Sequence, residues 1–333
     1  MNNDNTEIER LTATRSCNNK VAWMIADYIN NTPKQISAEM IEKWEKEYQL
    51  DKAFLYHILL TNFMGMNIED NETDKFIAEK YLREGITKLS VEEYRDNAYY
   101  HHIVIQEETT PHWQLTYDSY APYEAFIWRD ITLLDDYTEI PHLGYFEDAF
   151  RFPIVMQNGR EWMAIKPNEI ETMKAPLKEI QGKVITFGLG LGYFTFMASE
   201  KTDVIDITVV ELDREVIKLF ERYILPQFNH PEKIHIVQAD AFEFMQRQLP
   251  KRDFDYAFVD LWHDAADGLE MYLKTKRIEH LSPQVQFLYW IEETLLSALR
   301  WNVFDEIIRH NKSIETIKQL LSDDNLKKTA SGM

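Results

Sequence analysis

Val184-Ile185-Thr186-Phe187-Gly188-Leu189-Gly190-Leu191-Gly192 puts a short buried strand, a glycine loop and the start of a helix in one uninterrupted run. That context is what gives a glycine loop meaning. Glycine is expected there because the backbone turns sharply and a ligand approaches where a Cβ would sit.

Outward from this run the chain alternates strand and helix. Val204–Val210 reads as the second strand, ending in Glu211 with Asp213 two residues on. Lys233–Val237 is the third, followed by Gln238-Ala239-Asp240. Phe254–Val259 is the fourth, followed by Asp260-Leu261-Trp262-His263-Asp264. Helical spacing is expected up to Met197, then across Val216, Ile217, Phe220 and Ile224 as far as Pro226, and over Ala241–Leu249. Further helices are expected over Gly268–Glu279 and Thr294–Ile308; Val285–Ile291 between them fits by period either a fifth strand or the start of the last helix, and is read as an inner strand because the fold needs one. The alternation marks a parallel sheet, so the fold class is α/β with a doubly wound, mostly parallel sheet.

Three consecutive strands thus carry an acid at the carboxyl end, the edge where ligands bind in open α/β sheets. Glu211 lies about twenty residues past the glycines, where a carboxylate can accept both hydroxyls of an adenosine ribose. A dinucleotide fingerprint wants glycine at the sixth position of G-x-G-x-x-G, and Tyr193 stands there. No Gly-Lys-Ser/Thr follows, which excludes a P-loop.

The runs Val184–Gly192, Val210-Glu211-Leu212-Asp213, Gln238-Ala239-Asp240-Ala241-Phe242 and Phe254–Asp260 together resemble the successive motifs of the class I S-adenosylmethionine-dependent methyltransferases, a Rossmann-like family. They are nearest to its spermidine-synthase-like branch. The resemblance covers roughly residues 150–265 and implies S-adenosylmethionine as cofactor. By that likeness Gly188, Gly190 and Gly192 border its methionyl part and Glu211 binds the ribose. Asp240 would accept the adenine amino group, with Asp213 and Ala241 also against the cofactor, and Asp260 lies near the sulfonium and the methionyl amine. The resemblance implies a methyltransferase acting on a small molecule or a protein. The alternatives are an aminopropyl- or aminocarboxypropyl-type transferase, or a non-catalytic S-adenosylmethionine-binding protein. This chain departs from the aminopropyltransferases in its Gly-Leu-Gly-Leu-Gly loop, which holds no acid, and in Asp260 and Asp264, which are four apart rather than three.

Chemistry is expected in the loop after the fourth strand. Asp260, His263 and Asp264 are the candidate catalytic residues, the last two as possible general bases. Trp262 is a candidate wall of the substrate pocket, or a cap on the core. His101 and His102 are adjacent and lack a third ligand, so no metal site is expected.

The flanks suggest a largely helical auxiliary domain over residues 1–145 that contributes no cofactor ligand. A β-hairpin and connecting helix would span 146–182, the cofactor domain 183–322, and a loose polar tail 323–333. In the first region Val21, Met24, Ile25, Tyr28 and Ile29 share a helix face, after a polar start expected to fray. Further helices carry Ile41, Trp44 and Tyr48; Phe54 to Phe63; and Phe76 to Leu82; Ser90-Val91-Glu92-Glu93 is a capping box. Between Tyr99 and Arg151 aromatic residues accumulate without a period that assigns elements. Asn158-Gly159 between apolar runs marks a tight hairpin, and Pro167 opens the helix after it.

With 36 basic and 56 acidic residues among 333, the net charge is −20. Nucleic acid is therefore not an expected partner, because phosphate binding needs a basic footprint. A small-molecule substrate or a basic protein segment suits the surface better. No apolar run is long enough to span a membrane, the N-terminus is unlike a secretory signal, and Cys17 is the only cysteine, which together point to the cytoplasm. Nothing in the sequence sets an oligomeric state.

Overall fold

The computed structural model describes residues 2–309 and 314–332. The chain opens with α1 (Asn2–Asn31), α2 (Ala38–Tyr48), α3 (Lys52–Phe63), α4 (Glu72–Ile77) and α5 (Arg83–Gly85), the last two joined by a π-helical turn. Short elements follow: β1 (Ile86–Lys88), α6 (Val91–Arg95), α7 (Ala98–His102), β2 (Glu108–Thr109) and β3 (Trp113–Tyr120). Next come β4 (Phe126–Ile127), β5 (Thr132–Leu133), β6 (Glu139–Ile140) and β7 (Leu143–Tyr145). The hairpin strands β8 (Phe150–Gln157) and β9 (Arg160–Ala164) lead into α8 (Pro167–Glu179). The rest alternates: β10 (Gly182–Phe187), α9 (Tyr193–Ser199), β11 (Val204–Glu211), α10 (Arg214–Leu219), β12 (Ile234–Gln238), α11 (Ala241–Arg247), β13 (Tyr256–Val259), α12 (Ala265–Lys276) and β14 (Gln286–Tyr289). It closes with α13 (Glu292–Arg309), α14 (Ile314–Leu321) and α15 (Asp323–Ser331).

Two compact units result: Met1–Tyr94 with Ser119–Arg151, and Arg95–Asp118 with Phe152–Met333. The division is interrupted, where the sequence suggested single boundaries after residues 145 and 182.

In the first unit the helices start at side-chain caps. Ser37 accepts from the Met40 amide, Asp51 from Ala53 and Phe54, and Asn71 from Thr73 and Asp74. Their apolar faces, with Ile41, Leu55, Leu59, Leu60 and Ile77, form one core. The aromatic run that lacked a readable period supplies much of the rest. Tyr145 on β7 stacks on Tyr56 at 3.7 Å, and β7 pairs in parallel with β1 and antiparallel with β4. The polar start is helical from Asn2 rather than frayed. Leu11 is fully buried there, and Arg10 is bound to Glu7 at 2.7 Å and to the Asp136 carbonyl.

The second unit contains a five-stranded parallel sheet in the order β12-β11-β10-β13-β14. This is an α/β doubly wound fold. The order reverses between β10 and β13, so the crevice at their carboxyl ends is where a ligand is expected. In register Phe187 faces Val210 on one side and Val259 on the other, and Val259 faces Tyr289. Gly188, Glu211, Asp260 and Trp290 therefore leave the sheet side by side. Ahead of it, β8 and β9 turn at Asn158 and Gly159, both at positive φ (51° and 80°), as a two-residue hairpin turn requires.

Two expectations here need correction. α12 starts at Ala265, three residues before Gly268, because Asp264 caps it. The segment expected as a loose tail forms α15, with Leu326 and Ala330 buried. The fully buried Arg300 guanidinium reaches Asp323 at 2.6 Å, and Lys327 reaches Glu292 at 2.9 Å, so the polar segment is fastened at two points. Among the described residues no helix is long and apolar enough to cross a membrane.

Candidate functional site

A cleft of about 460 Å³ opens along the carboxyl edge of the parallel sheet, within the range typical of small-molecule sites. Gly188, Gly190, Glu211, Asp240, Ala241, Asp260, Trp262 and His263 line it, together with residues of β9 and the first turn of α8. Gly192, Asp213 and Asp264, named with them from the sequence, do not.

All three glycines have positive φ, and an added Cβ at each would meet the protein's own atoms. Gly188 has φ +102°, and a Cβ there would lie 2.1 Å from the Asp260 carbonyl oxygen. Gly190, at φ +50°, is covered by Met163, whose sulfur would be 1.9 Å from an added Cβ and accepts the Leu191 amide at 3.2 Å. Gly192 turns toward Phe220, 2.3 Å from where its Cβ would stand.

Glu211 ends β11. Its Oε2 accepts the Leu189 amide at 3.2 Å and its Oε1 the Asp213 amide at 2.8 Å. An ionised carboxylate has about four lone-pair positions, so the side chain is fixed in direction and still has acceptor capacity to spare. Burial raises its pKa against those amide bonds. Asp213 caps α10 through the Glu215 and Val216 amides and borders a neighbouring groove, which shares Trp162, Glu211 and Leu212 with the cleft. Asp240 caps α11 through the Glu243 amide at 2.8 Å while lining the cleft beside Ala241.

The loop after β13 divides its duties. Asp260 faces the cleft, and its carboxyl group takes no hydrogen bond from the described residues; burial pushes its pKa up to about 7. Trp262 is 5% exposed, packs over Gly268 and stacks loosely on Tyr289, and its Nε1 finds no partner among the described residues. His263 sets Nδ1 3.0 Å from Asp267 and its ring edge-on to Trp162 at 4.3 Å. Asp264 is spent structurally: its Oδ1 accepts the Ala266 amide at 2.7 Å, and its own amide donates to Asp267 in a capping box. Of the two candidate bases, His263 is thus paired with Asp267, and Asp264 caps the helix.

Glu169 was missed. It lies in the first turn of α8, where an acid is ordinary and signals nothing in sequence. Only 8% exposed, it lines the same cleft as Asp260 and accepts no hydrogen bond from a described side chain or amide. Burial first, and the Asp260 carboxyl second, hold it well above the usual carboxylate range. Trp290 at the end of β14 anchors α8 by donating to Thr172 at 2.9 Å. Met163 and Trp162 were also missed, since only the tertiary fold brings the hairpin over the glycine loop, and so was Asp267, a local partner of His263 four residues on in the first turn of α12.

The lining is acidic. Glu161, Glu169, Glu211, Asp240 and Asp260 face one lysine, Lys166, which is bound to Glu161 at 2.5 Å. Among the described residues no group of acids, histidines or cysteines is arranged to hold a metal ion.

No protein-family model matches this chain, and no curated protein matches it. Solved structures resemble parts of it. A spermidine synthase from Thermotoga maritima is 16% identical, with 42% of this chain and 52% of that one covered and a TM-score of 0.32. A spermidine synthase in complex with the transition state analogue AdoDATO is 16% identical, with 45% and 58% covered and a TM-score of 0.32. PigF with SAH is 16% identical, with 34% and 37% covered and a TM-score of 0.26. The chain thus spans between 37% and 58% of the length of these structures, and likeness of this extent assigns no activity.

Proposed function

We propose that the cleft binds S-adenosylmethionine and that the protein is a transferase dependent on it, a methyltransferase acting on a small molecule or a basic protein segment. The observation that carries this reading is Glu211, fixed by two loop amides at the end of β11 with acceptor positions to spare beside the switch-point crevice. The chemistry of the donor set fits the ligand. Glu211 suits a pair of ribose hydroxyls, Asp240 an exocyclic amine, and the unpartnered carboxyl groups of Glu169 and Asp260 a positive charge.

When bound, S-adenosylmethionine supplies an activated carbon on a positively charged sulfur. The chain's own work is alignment and exclusion of water. Glu211 and Asp240 hold the nucleoside end. Trp262 shields the cleft beside β14, and Met163 closes the glycine loop from above. His263 is the group to take a proton from an acceptor, because Asp267 fixes its Nδ1 side and leaves Nε2 to hold the proton. Asp264 has no part in this.

A second reading, aminopropyl-type transfer to an amine, is favoured by the acidic lining, in which the one lysine is already paired. Product analysis separates the two. Incubation with S-adenosylmethionine and a panel of amines, basic peptides and small alcohols should yield S-adenosylhomocysteine and a methylated acceptor. Release of methylthioadenosine would favour the second reading, and unchanged ligand throughout would overturn both. The net charge of −20 supports an acceptor other than nucleic acid, and the single cysteine suits a cytoplasmic setting. The first compact unit is read as an auxiliary module that holds no cofactor ligand.

A further inference from the structure

Glycines let the loop after β10 turn sharply and leave it few restraints of its own, because a residue without a Cβ has many backbone states open to it. Leu191 stands between two glycines at positive φ, Gly190 at 50° and Gly192 at 73°. Side chains from outside the loop hold it. Its amide donates to the Met163 sulfur at 3.2 Å, and its carbonyl accepts the Tyr99 hydroxyl at 2.6 Å.

Tyr99 belongs to α7, a five-residue helix too short to persist alone. The helix lies in Arg95–Asp118, a segment that joins the second unit although the chain on both sides of it belongs to the first. Asn97 caps α7 at the Tyr99 amide and donates its side-chain amide to the Tyr193 hydroxyl at 2.8 Å. Tyr99 is fully buried, with its ring against those of Tyr193 and Phe196. Tyr100 donates its hydroxyl to the Ile165 carbonyl, at the turn between β9 and α8. The glycine loop and the end of the hairpin both line the cleft, whereas Asn97, Tyr99 and Tyr100 do not. We propose that these three are positioning residues: α7 braces the glycine loop against the hairpin from outside the cleft and holds the cleft in the shape that receives its ligand. The inference deepens the transferase reading and rests on it only for the ligand used as a probe. The brace touches no ligand, and its effect is on populations. Without the Tyr99 hydroxyl the Leu191 carbonyl loses a buried donor, the loop opens more often, and apparent affinity falls with the fraction that stays competent.

The test is hydrogen exchange read by mass spectrometry on the full ligand-free chain, followed by isothermal titration with S-adenosylhomocysteine well below the melting temperature. Tyr99→Phe keeps the ring and drops the hydroxyl, and Asn97→Ser keeps a capping oxygen and drops the reach to Tyr193. Tyr81→Phe is the control, because it deletes a buried bond of similar length, 2.7 Å to Asn18, within the first unit. Exchange over residues 188–196 should quicken by about threefold to tenfold in both brace variants and keep the wild-type rate in the control. S-adenosylhomocysteine should bind both brace variants about threefold to tenfold more weakly, with the control unchanged. Tyr100→Phe replaces either variant that does not fold. Loop exchange at the control's level overturns the proposal, as does exchange that rises evenly along the chain. Faster loop exchange with wild-type affinity overturns it too, since the contacts would then serve stability alone. Faster loop exchange in the variants of a chain that binds no S-adenosylhomocysteine would support the brace and sink the transferase reading.

Discussion

Replacing Asp260 with asparagine should make the ligand-free protein more stable, and only above a defined pH. Burial moves the Asp260 carboxyl from its ordinary 3.8 to about 7, so the folded state binds its proton more tightly than the unfolded chain does. Stability therefore falls as pH rises between about 4 and 7, then holds at its lower value. At about 1.4 kcal/mol per pKa unit, a shift of roughly 3 units caps the penalty near 4 kcal/mol. The cleft is open to water, which raises the effective dielectric, so about 1–3 kcal/mol is expected. Asparagine keeps the shape and carries no charge to bury. Thermal denaturation of wild type and Asp260→Asn should coincide at pH 4, separate between pH 4 and 7, and at pH 8 leave the variant several degrees higher, at about 2–4 °C per kcal/mol for a unit of this size. A variant less stable at pH 8, or a difference independent of pH, would refute the claim that this acid is held in the cleft against its own stability.

Other consequences can be read from single contacts. Gly188→Ala and Gly190→Ala should both destabilise, but only the second should be partly rescued by Met163→Ala, since its obstacle is a flexible side chain and the first meets the Asp260 backbone; paired melts decide this. Asp264→Ala should lower stability by about 1 kcal/mol as a lost helix cap with turnover nearly unchanged. His263→Ala should instead lower turnover by roughly 10²–10⁴-fold with little loss of stability, and equal rates for both variants would remove His263 from the chemistry. Tyr99→Phe deletes a 2.6 Å bond to the Leu191 carbonyl and should cost on the order of 1 kcal/mol, measurable by chemical denaturation.

The strands of the parallel sheet were legible as short apolar runs, and their parallel arrangement followed from alternation with helices. Val285–Ile291 was ambiguous by period alone, and pairing with β13 makes it a strand. The aromatic stretch stayed unreadable because, apart from β3, its strands are two or three residues long, below the length at which alternation shows, and its rings serve a core assembled from distant helices. At the site, Glu211, Asp240 and Asp260 were visible as acids at strand ends. Asp264 is a helix cap outside the cleft lining, and a cap and a catalytic acid look alike before the helix start is known. Glu169 was invisible for the opposite reason: its helix was read correctly, but the depth of its first turn in the cleft is a tertiary fact.

The most direct test of the central claim is isothermal titration of the wild-type chain with S-adenosylhomocysteine, with NAD as control and Glu211→Ala alongside. The account predicts saturable binding of S-adenosylhomocysteine, none of NAD, and a loss on the order of 2–4 kcal/mol in the variant. No heat with S-adenosylhomocysteine, or binding of NAD in its place, would contradict it.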